Sequence, residues 1–477
     1  MFEKVTERMA DHSVRHRDKI FLIDLRSGRA LSFGEFDGLV NRTCRYLENL
    51  GARPGDIVST VLENSAEFCL LFFAALRSNI VLNPFPAIFS AWDILRDADL
   101  IRPKFIFLPE ARQEEFRNAG EQKSALPTIP SDCFFETLRA FPPDFPEIGA
   151  SPAHFACLYQ TAGRRADPRG VLYSQGNMST LIPSVIRGFR LSARDVHLIV
   201  LPLAHTAALN YSLLPAAWLG ATVVLARDFW PEREQFWEIV RNYGVNYVEV
   251  VPTMLYVLLH QRARPGRLES LPFMPCGSAP LSPETRTEFE REFSLPVADL
   301  YGLTETGPTH ADAVWSPGWK KGTIGKPLDC NEVRVLDKDG RRCPAGESGE
   351  IAIRGNNVFP AYAINPGLRP AHFRDDWFLT GDLGIEDADG YFHFTGRKKE
   401  LIIRGGINVH PGEIDEVFET HPDVLRSATR GTPDDFFGEL IQTKITLRPG
   451  SAATESSLKE YCRRYLSPIK VPDLITL

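Results

Sequence analysis

Residues 198–251 read LIVLPLAHTAALNYSLLPAAWLGATVVLARDFWPEREQFWEIVRNYGVNYVEVV. Residues 198–201 form a short apolar run, and 207–218 are small or aliphatic without a charge. Gly220 closes that stretch, 222–226 is a second apolar run, 234–242 has helical periodicity, and 246–251 is a third run. Strands this short alternating with helices this long predict a parallel sheet covered by helices. From Leu198 to Ala226 there is no Asp, Glu, Lys or Arg, a length that would reach across a bilayer. Pro202, His205, Asn210 and Pro215 interrupt it, however, so strand, loop, buried helix and strand is the expected order rather than a membrane span.

The same rhythm extends towards the N-terminus. Phe36, Leu39, Val40, Leu47 and Leu50 share one helical face, closed by Gly51 and Pro54-Gly55-Asp56. Residues 57–61 then read as a strand and 65–76 as a largely buried helix. The proline-rich stretch around 120–150 (Pro127, Pro130, Pro142, Pro143, Pro146) is expected to be a surface connection. After about residue 320 the texture changes. Residues 332–336, 349–353 and 391–394 are short strands separated by Asp-Gly and Gly-Glu turns, which predicts a small antiparallel sheet or barrel. A further αβ unit follows from 401 to 477.

Composition bounds the function. Of 477 residues, 43% are hydrophobic and 24% charged, which excludes a disordered tail, a collagen-like repeat and a coiled coil. Lys and Arg number 54 against 61 Asp and Glu, a net −7, so no global attraction for nucleic acid or an anionic membrane is expected. The N-terminus is charged and lacks an apolar h-region. The eight cysteines contain no CxxC, and the nearest two, Cys330 and Cys343, lie 13 residues apart. Buried thiols in a reducing cytoplasm are the expectation, without a zinc knuckle.

Three segments suggest nucleotide chemistry. Thr161-Ala162-Gly163-Arg164-Arg165-Ala166-Asp167-Pro168-Arg169-Gly170 is a small-residue loop rich in cations, suited to an anion nest; an Arg-bearing surface turn is the plainer reading. Tyr301-Gly302-Leu303-Thr304-Glu305-Thr306-Gly307 places an aromatic, a hydroxyl and a carboxylate within five positions, enough to stack a base, hold a phosphate and ligate Mg²⁺. A helix N-cap would use the same residues. Thr380-Gly381-Asp382-Leu383, followed by Arg397, offers a carboxylate for a ribose diol, although such turns usually just join strands.

Together and in this order these residues resemble the adenylate-forming superfamily of acyl-CoA synthetases, luciferases and peptide-synthetase adenylation domains. Pro202-Leu-Ala-His205, Gly277-Ser-Ala-Pro-Leu281, Trp377-Phe-Leu-Thr-Gly-Asp382, Gly396-Arg-Lys-Lys399 and Gly405-Gly-Ile-Asn-Val-His-Pro411 match its motifs over nearly the whole chain. The resemblance implies an α/β fold. Residues 1–396 would be a large N-terminal domain of helix-covered sheets with a small β-barrel-like subdomain at about 320–396. Residues 397–399 would be a hinge, and 400–477 a small mobile α+β domain, shorter than the family norm. It also implies an ATP-dependent ligase that forms an acyl-adenylate from a carboxylic acid, then passes the acyl group to coenzyme A or to another thiol, a carrier protein or an amine. Tyr301 would stack on adenine against Gly277, Ser278, Ala279 and Pro280. Thr304 would meet the α-phosphate, Gly302 would belong to the nucleotide-binding set, Glu305 would hold Mg²⁺, and Asp382 with Arg397 would grip the ribose. Thr161, Gly163 and Arg169 would belong to the phosphate loop, Lys399 to the hinge, and Gly405 and Gly406 to the thiol tunnel. His205 would lie where the tunnel meets an acyl pocket without an obvious charged residue, suiting a fatty, aryl or alicyclic acid. Lys320-Lys321 and 397–399 are candidates for the phosphates of coenzyme A.

Two departures accompany the matches. The family's phosphate loop carries hydroxyl donors, a glycine and a lysine where this chain has Ala162, Arg164, Arg165, Ala166 and Arg169. The sequence ends at Leu477, before the loop that bears the family's adenylation lysine. Either the sequence is a shortened one or that lysine is absent. Three readings follow: an active ligase, including a specialised one of secondary metabolism; an enzyme repurposed for pre-activated acyl groups; and a homologue that only binds.

Overall fold

The computed structural model describes residues 2–120, 126–146, 148–161, 169–261, 268–363, 372–398, 401–448 and 450–477. The helix Ala66–Arg77, capped by Ser65, is buried at every position but Glu67, as its apolar run from Phe68 to Leu76 requires. It lies in a core shared by two sheets. One sheet orders the strands Tyr247–Val248, Val196–Ile199, Thr222–Leu225, Ile20–Asp24 and Arg29–Ser32, parallel except for the last. The segment that opened the sequence reading therefore folds as expected, with one refinement. Its helical part begins with π-helical turns at Ala208–Leu213 before the α-helix Leu214–Leu219.

The second sheet has seven strands in the order Ala361–Tyr362, Arg169–Ser174, Phe155–Thr161, Val81–Pro84, Ile57–Thr60, Phe105–Leu108 and Thr128–Pro130. The last strand corrects the expectation of a surface connection over 120–150. Thr128–Pro130 pairs in parallel with Phe105–Leu108, and the following helix Phe134–Leu138 buries Phe134 under Tyr46 and Phe107. Prolines misled here because an edge strand tolerates a residue that cannot donate to a ladder.

Strands Asn331–Leu336, Ser348–Gly355, Trp377–Glu386 and Phe392–Arg397 form an antiparallel sheet with Phe373–Arg374 at its edge. C-terminal to it, the hairpin Ile402–Arg404 and Ile407–Val409 joins the long pair Val424–Asp434 and Gly438–Leu447. The helices Pro411–Glu419 and Glu455–Tyr465 close a separate core around Ile414, Phe418, Ile441 and Leu458. Among the described residues, no helix is long and apolar enough to cross a membrane. All eight cysteines are free, six of them buried.

A charged cluster joins this C-terminal unit to the helix Ala91–Ile101. Glu413 is paired with Lys470 at 2.8 Å and with Arg96 at 2.8 Å. Asp93 accepts from the Ser467 N–H at 2.7 Å and from its hydroxyl. Phe436 packs on Trp230 and Tyr256, and a Cβ at Gly406 would touch Val251 Cγ1 at 3.0 Å. The hairpin tip carrying Gly405 and Gly406 is thereby laid against the N-terminal body.

Candidate active site

A cavity of about 1170 Å³ lies at the contact between the two parts. Two pieces of backbone supply one side. The strand Met274–Gly277 runs parallel to Val297–Leu300 so closely that a Cβ on Gly277 would lie 2.7 Å from the Leu300 carbonyl oxygen. Ser278 follows with φ +66°, a conformation disfavoured for any residue bearing a Cβ. Gly277 and Ser278 line the cavity, while Ala279 and Pro280 continue the loop towards the helix Pro283–Phe293. Next comes a tight hairpin, Gly302–Leu303 with Gly307–Pro308, in which a side chain on Gly302 would run into the Gly307 carbonyl. Thr304 and Glu305 therefore occupy a hairpin tip, not the first turn of a helix. The Phe359 N–H to Glu305 carbonyl bond at 2.8 Å and the Asn357 amide to Thr306 carbonyl bond at 2.8 Å hold the tip.

The strand Trp377–Glu386 brings in the ribose candidate. Asp382 is 1% exposed, and the Tyr301 hydroxyl donates to its Oδ2 at 2.7 Å. Its cross-strand partner Arg397 places Nε 2.8 Å from Oδ1. Burial raises the Asp382 carboxyl, and Arg397 and the Tyr301 hydroxyl oppose that shift. Glu350 supports the turn, accepting from the Gly381 N–H at 2.9 Å and from Lys398 Nζ at 2.6 Å. The sequence reading missed Glu350; a carboxylate in an otherwise apolar strand was its only signal.

His205 reaches the cavity from the loop after Val196–Ile199. Asn64 fixes that loop, donating to the Leu201 and Ala226 carbonyls and accepting from the Leu203 N–H at 2.7 Å. His205 Nδ1 accepts from the Ala207 N–H at 3.2 Å, and burial lowers its imidazole, leaving it neutral. Gly406 lines the cavity; Gly405 stands beside it, its N–H bonded to the Phe437 carbonyl at 2.8 Å. Thr161 and Arg169 end and begin two paired strands, whereas the loop between them, with Gly163, and Lys399, expected at a hinge, lie outside the described residues. The other basic residues proposed for coenzyme A are committed elsewhere: Lys320 to Asp387 and Asp389, Lys321 to Glu290, Lys398 to Glu350.

The acyl side needs a correction. Glu249 lines the cavity beside Tyr211, Thr206 and Val250, at 1% exposure, so the pocket does hold an acid. Among the described residues neither of its oxygens has a hydrogen-bond partner, and burial pushes its carboxyl up to about 8. The sequence signal was present in Tyr247-Val-Glu-Val-Val251, where a Glu interrupts a buried strand and loop.

Residues 9–363 match the family of AMP-binding enzymes. The chain belongs to that family. Its reaction class is that of an acyl-activating, AMP-forming ligase. This AMP-binding enzyme is 31% identical to an oxalate–CoA ligase of Arabidopsis thaliana over 93% of its own length and 88% of the relative's. It is 32% identical to a sulfoacetate–CoA ligase of Cupriavidus necator over 99% and 93%. In three dimensions it superposes on a double-mutant o-succinylbenzoate CoA synthetase from Bacillus subtilis, bound with its product analogue. The TM-score is 0.88 at 26% identity, covering 98% of this chain and 94% of the other.

The residues present suit a nucleotide with its metal. Among the described residues no group of three or more His, Cys, Asp or Glu is placed to hold an ion alone. Glu305 on an open hairpin tip offers a single carboxylate, the donor set of a Mg²⁺ shared with phosphate oxygens rather than caged by protein.

Proposed function

We propose that this AMP-binding enzyme is an ATP-dependent ligase that activates a carboxylic acid as its adenylate and transfers the acyl group to coenzyme A. The observation that carries the reading is Asp382. It is a buried carboxylate whose two oxygens are steered by Tyr301 and Arg397 at the wall of a cavity that the C-terminal hairpin also reaches. Each oxygen keeps a lone pair for a ribose hydroxyl.

In this reading Tyr301 packs against adenine opposite the Gly277–Ser278 backbone, where Ala279 and Pro280 complete the loop. Thr304 and the hairpin N–H groups face the α-phosphate, and Arg397 adds a positive charge on the ribose side. Bound at Glu305, Mg²⁺ would neutralise charge gathering on phosphate. Fixed donors already aimed at the phosphate stabilise that charge better than solvent that must reorient. Attack of the acid carboxylate on the α-phosphorus releases pyrophosphate. The thiol then attacks the acyl carbon and AMP leaves. Gly405 and Gly406 would border the thiol path, with neutral His205 at its inner end. Thr161, Gly163 and Arg169 are assigned to the phosphate loop, and Lys399 to a hinge at 397–399 between a unit of residues 1–396 and one of 400–477.

The assignment is tested by isothermal titration of the purified chain with AMP and with ATP·Mg²⁺. Binding of both is expected, with Asp382→Ala weakening each at least a hundredfold while the melting temperature without nucleotide stays near that of the unaltered chain. Unchanged AMP affinity in the variant would remove Asp382 from the site.

A further inference from the structure

Five carboxylates line the cavity: Glu249, Glu305, Glu350, Asp382 and Asp415. Asp382 answers Tyr301 and Arg397, Glu350 answers Lys398, Asp415 accepts from the Thr429 hydroxyl at 2.7 Å, and Glu305 meets the Tyr362 hydroxyl at 3.4 Å. Glu249 alone of the five has no partner for either oxygen among the described residues, although it is as buried as Asp382. Beside it the Tyr211 hydroxyl, buried and also at the cavity wall, is likewise unpartnered. Native interiors rarely leave such groups idle, because an unpaired buried acceptor loses water without replacing it. When unpaired polar groups face a ligand cavity, the natural complement is a ligand group.

We propose that Glu249 is the specificity-determining residue of the acyl pocket, and that the acid admitted carries a hydrogen-bond donor, a hydroxyl or an amine, at the end remote from its reacting carboxylate. The inference rests on the ligase reading for its setting but not for its geometry. A carboxyl accepts from O–H or N–H in either protonation state, and Tyr211 can donate or accept beside it. A hydrocarbon end would leave both unpaired. A second carboxylate would be desolvated without a cation to meet it, because Arg397 and Lys398 are committed to Asp382 and Glu350. Sites built to hydrogen-bond a polar group discriminate strongly against analogues that lack it.

The test is equilibrium binding to the full chain, in the presence of AMP, of hexanoate, ω-hydroxyhexanoate, ω-aminohexanoate and adipate. Benzoate, para-hydroxybenzoate, para-aminomethylbenzoate and terephthalate form a parallel aryl set. In at least one series the hydroxy or amino acid should bind at least tenfold more tightly than the plain acid and the diacid. Glu249→Leu should erase that preference. Glu249→Gln, which keeps an acceptor but cannot ionise opposite an ammonium, should retain hydroxyl preference and lose amine preference, separating the two donors. The proposal is overturned if no donor-bearing acid binds in either series. It is equally overturned if the plain acid or diacid binds as well as the donors, or if the ranking survives Glu249→Leu. Acid-dependent pyrophosphate release is read in the same samples. Its absence alongside the expected ranking would strike the ligase reading and leave the role of Glu249 standing.

Discussion

Glu413 and Glu249 are both withdrawn from solvent, at 4% and 1% exposure, yet the protein treats them in opposite ways. Burial would raise both carboxyls. Around Glu413, Lys470 and Arg96 outweigh it and hold the group below its usual range. Around Glu249 nothing opposes burial, and the carboxyl rises to about 8. The first pattern ties two parts of the chain together: a helix of the N-terminal body meets a C-terminal segment, and charge is matched where they touch. The second leaves polar atoms idle at the wall of a cavity. The partners of Glu413 come from both sides of the seam and hold it together, whereas Glu249 has none among the described residues and faces the cavity.

Predictions sharpen this contrast in order of size. Lys470→Met should destabilise the docked arrangement by about 3–5 kcal/mol, the usual penalty for stripping one partner from a buried ion pair. Thermal denaturation and the protease resistance of residues 402–475 read it. An unchanged melting point would make the cluster ornamental. Asp382→Ala should weaken AMP binding by about 3 kcal/mol, the hundredfold loss already named, with little effect on folding.

Glu249→Gln should act the other way and stabilise the chain by about 1–3 kcal/mol at pH 7. With its carboxyl raised from the ordinary 4.5 to about 8, Glu249 imposes no penalty below pH 4.5. The penalty then grows as pH rises towards 8, so the gain from the variant should shrink to nothing near pH 4. Glu413 runs in the opposite direction, its contribution being present above pH 4.5 and lost as pH falls through its lowered value. Denaturant unfolding at pH 4 and 7 separates the two. The smallest effect is Ser278→Gly, which should gain about 1 kcal/mol by relieving the left-handed backbone at φ +66°. No gain would mean that the strain is fully compensated locally.

Much of the fold was legible because burial writes itself into periodicity. The apolar run 68–76 became a buried helix, and the alternation over 198–251 became neighbouring parallel strands. The strand at 128–130 escaped because prolines at a sheet edge look like loop. The cluster of Tyr301, Asp382 and Arg397 was legible only through motif resemblance, since nothing local foretells that antiparallel pairing sets Arg397 beside Asp382 or that the Tyr301 hydroxyl reaches it. Glu249 could be seen but not interpreted, because a lone Glu in a strand does not reveal whether a lysine from elsewhere will reach it. For Glu413, 57 residues from Lys470, one did.

The most direct test of the central claim is product analysis of the purified chain with ATP·Mg²⁺, coenzyme A and the acid panel. The account predicts acyl-CoA, AMP and pyrophosphate in equal amounts for at least one acid, and none from Asp382→Ala. Binding of AMP with no pyrophosphate from any acid would contradict it, pointing instead to a protein that handles acyl groups activated elsewhere.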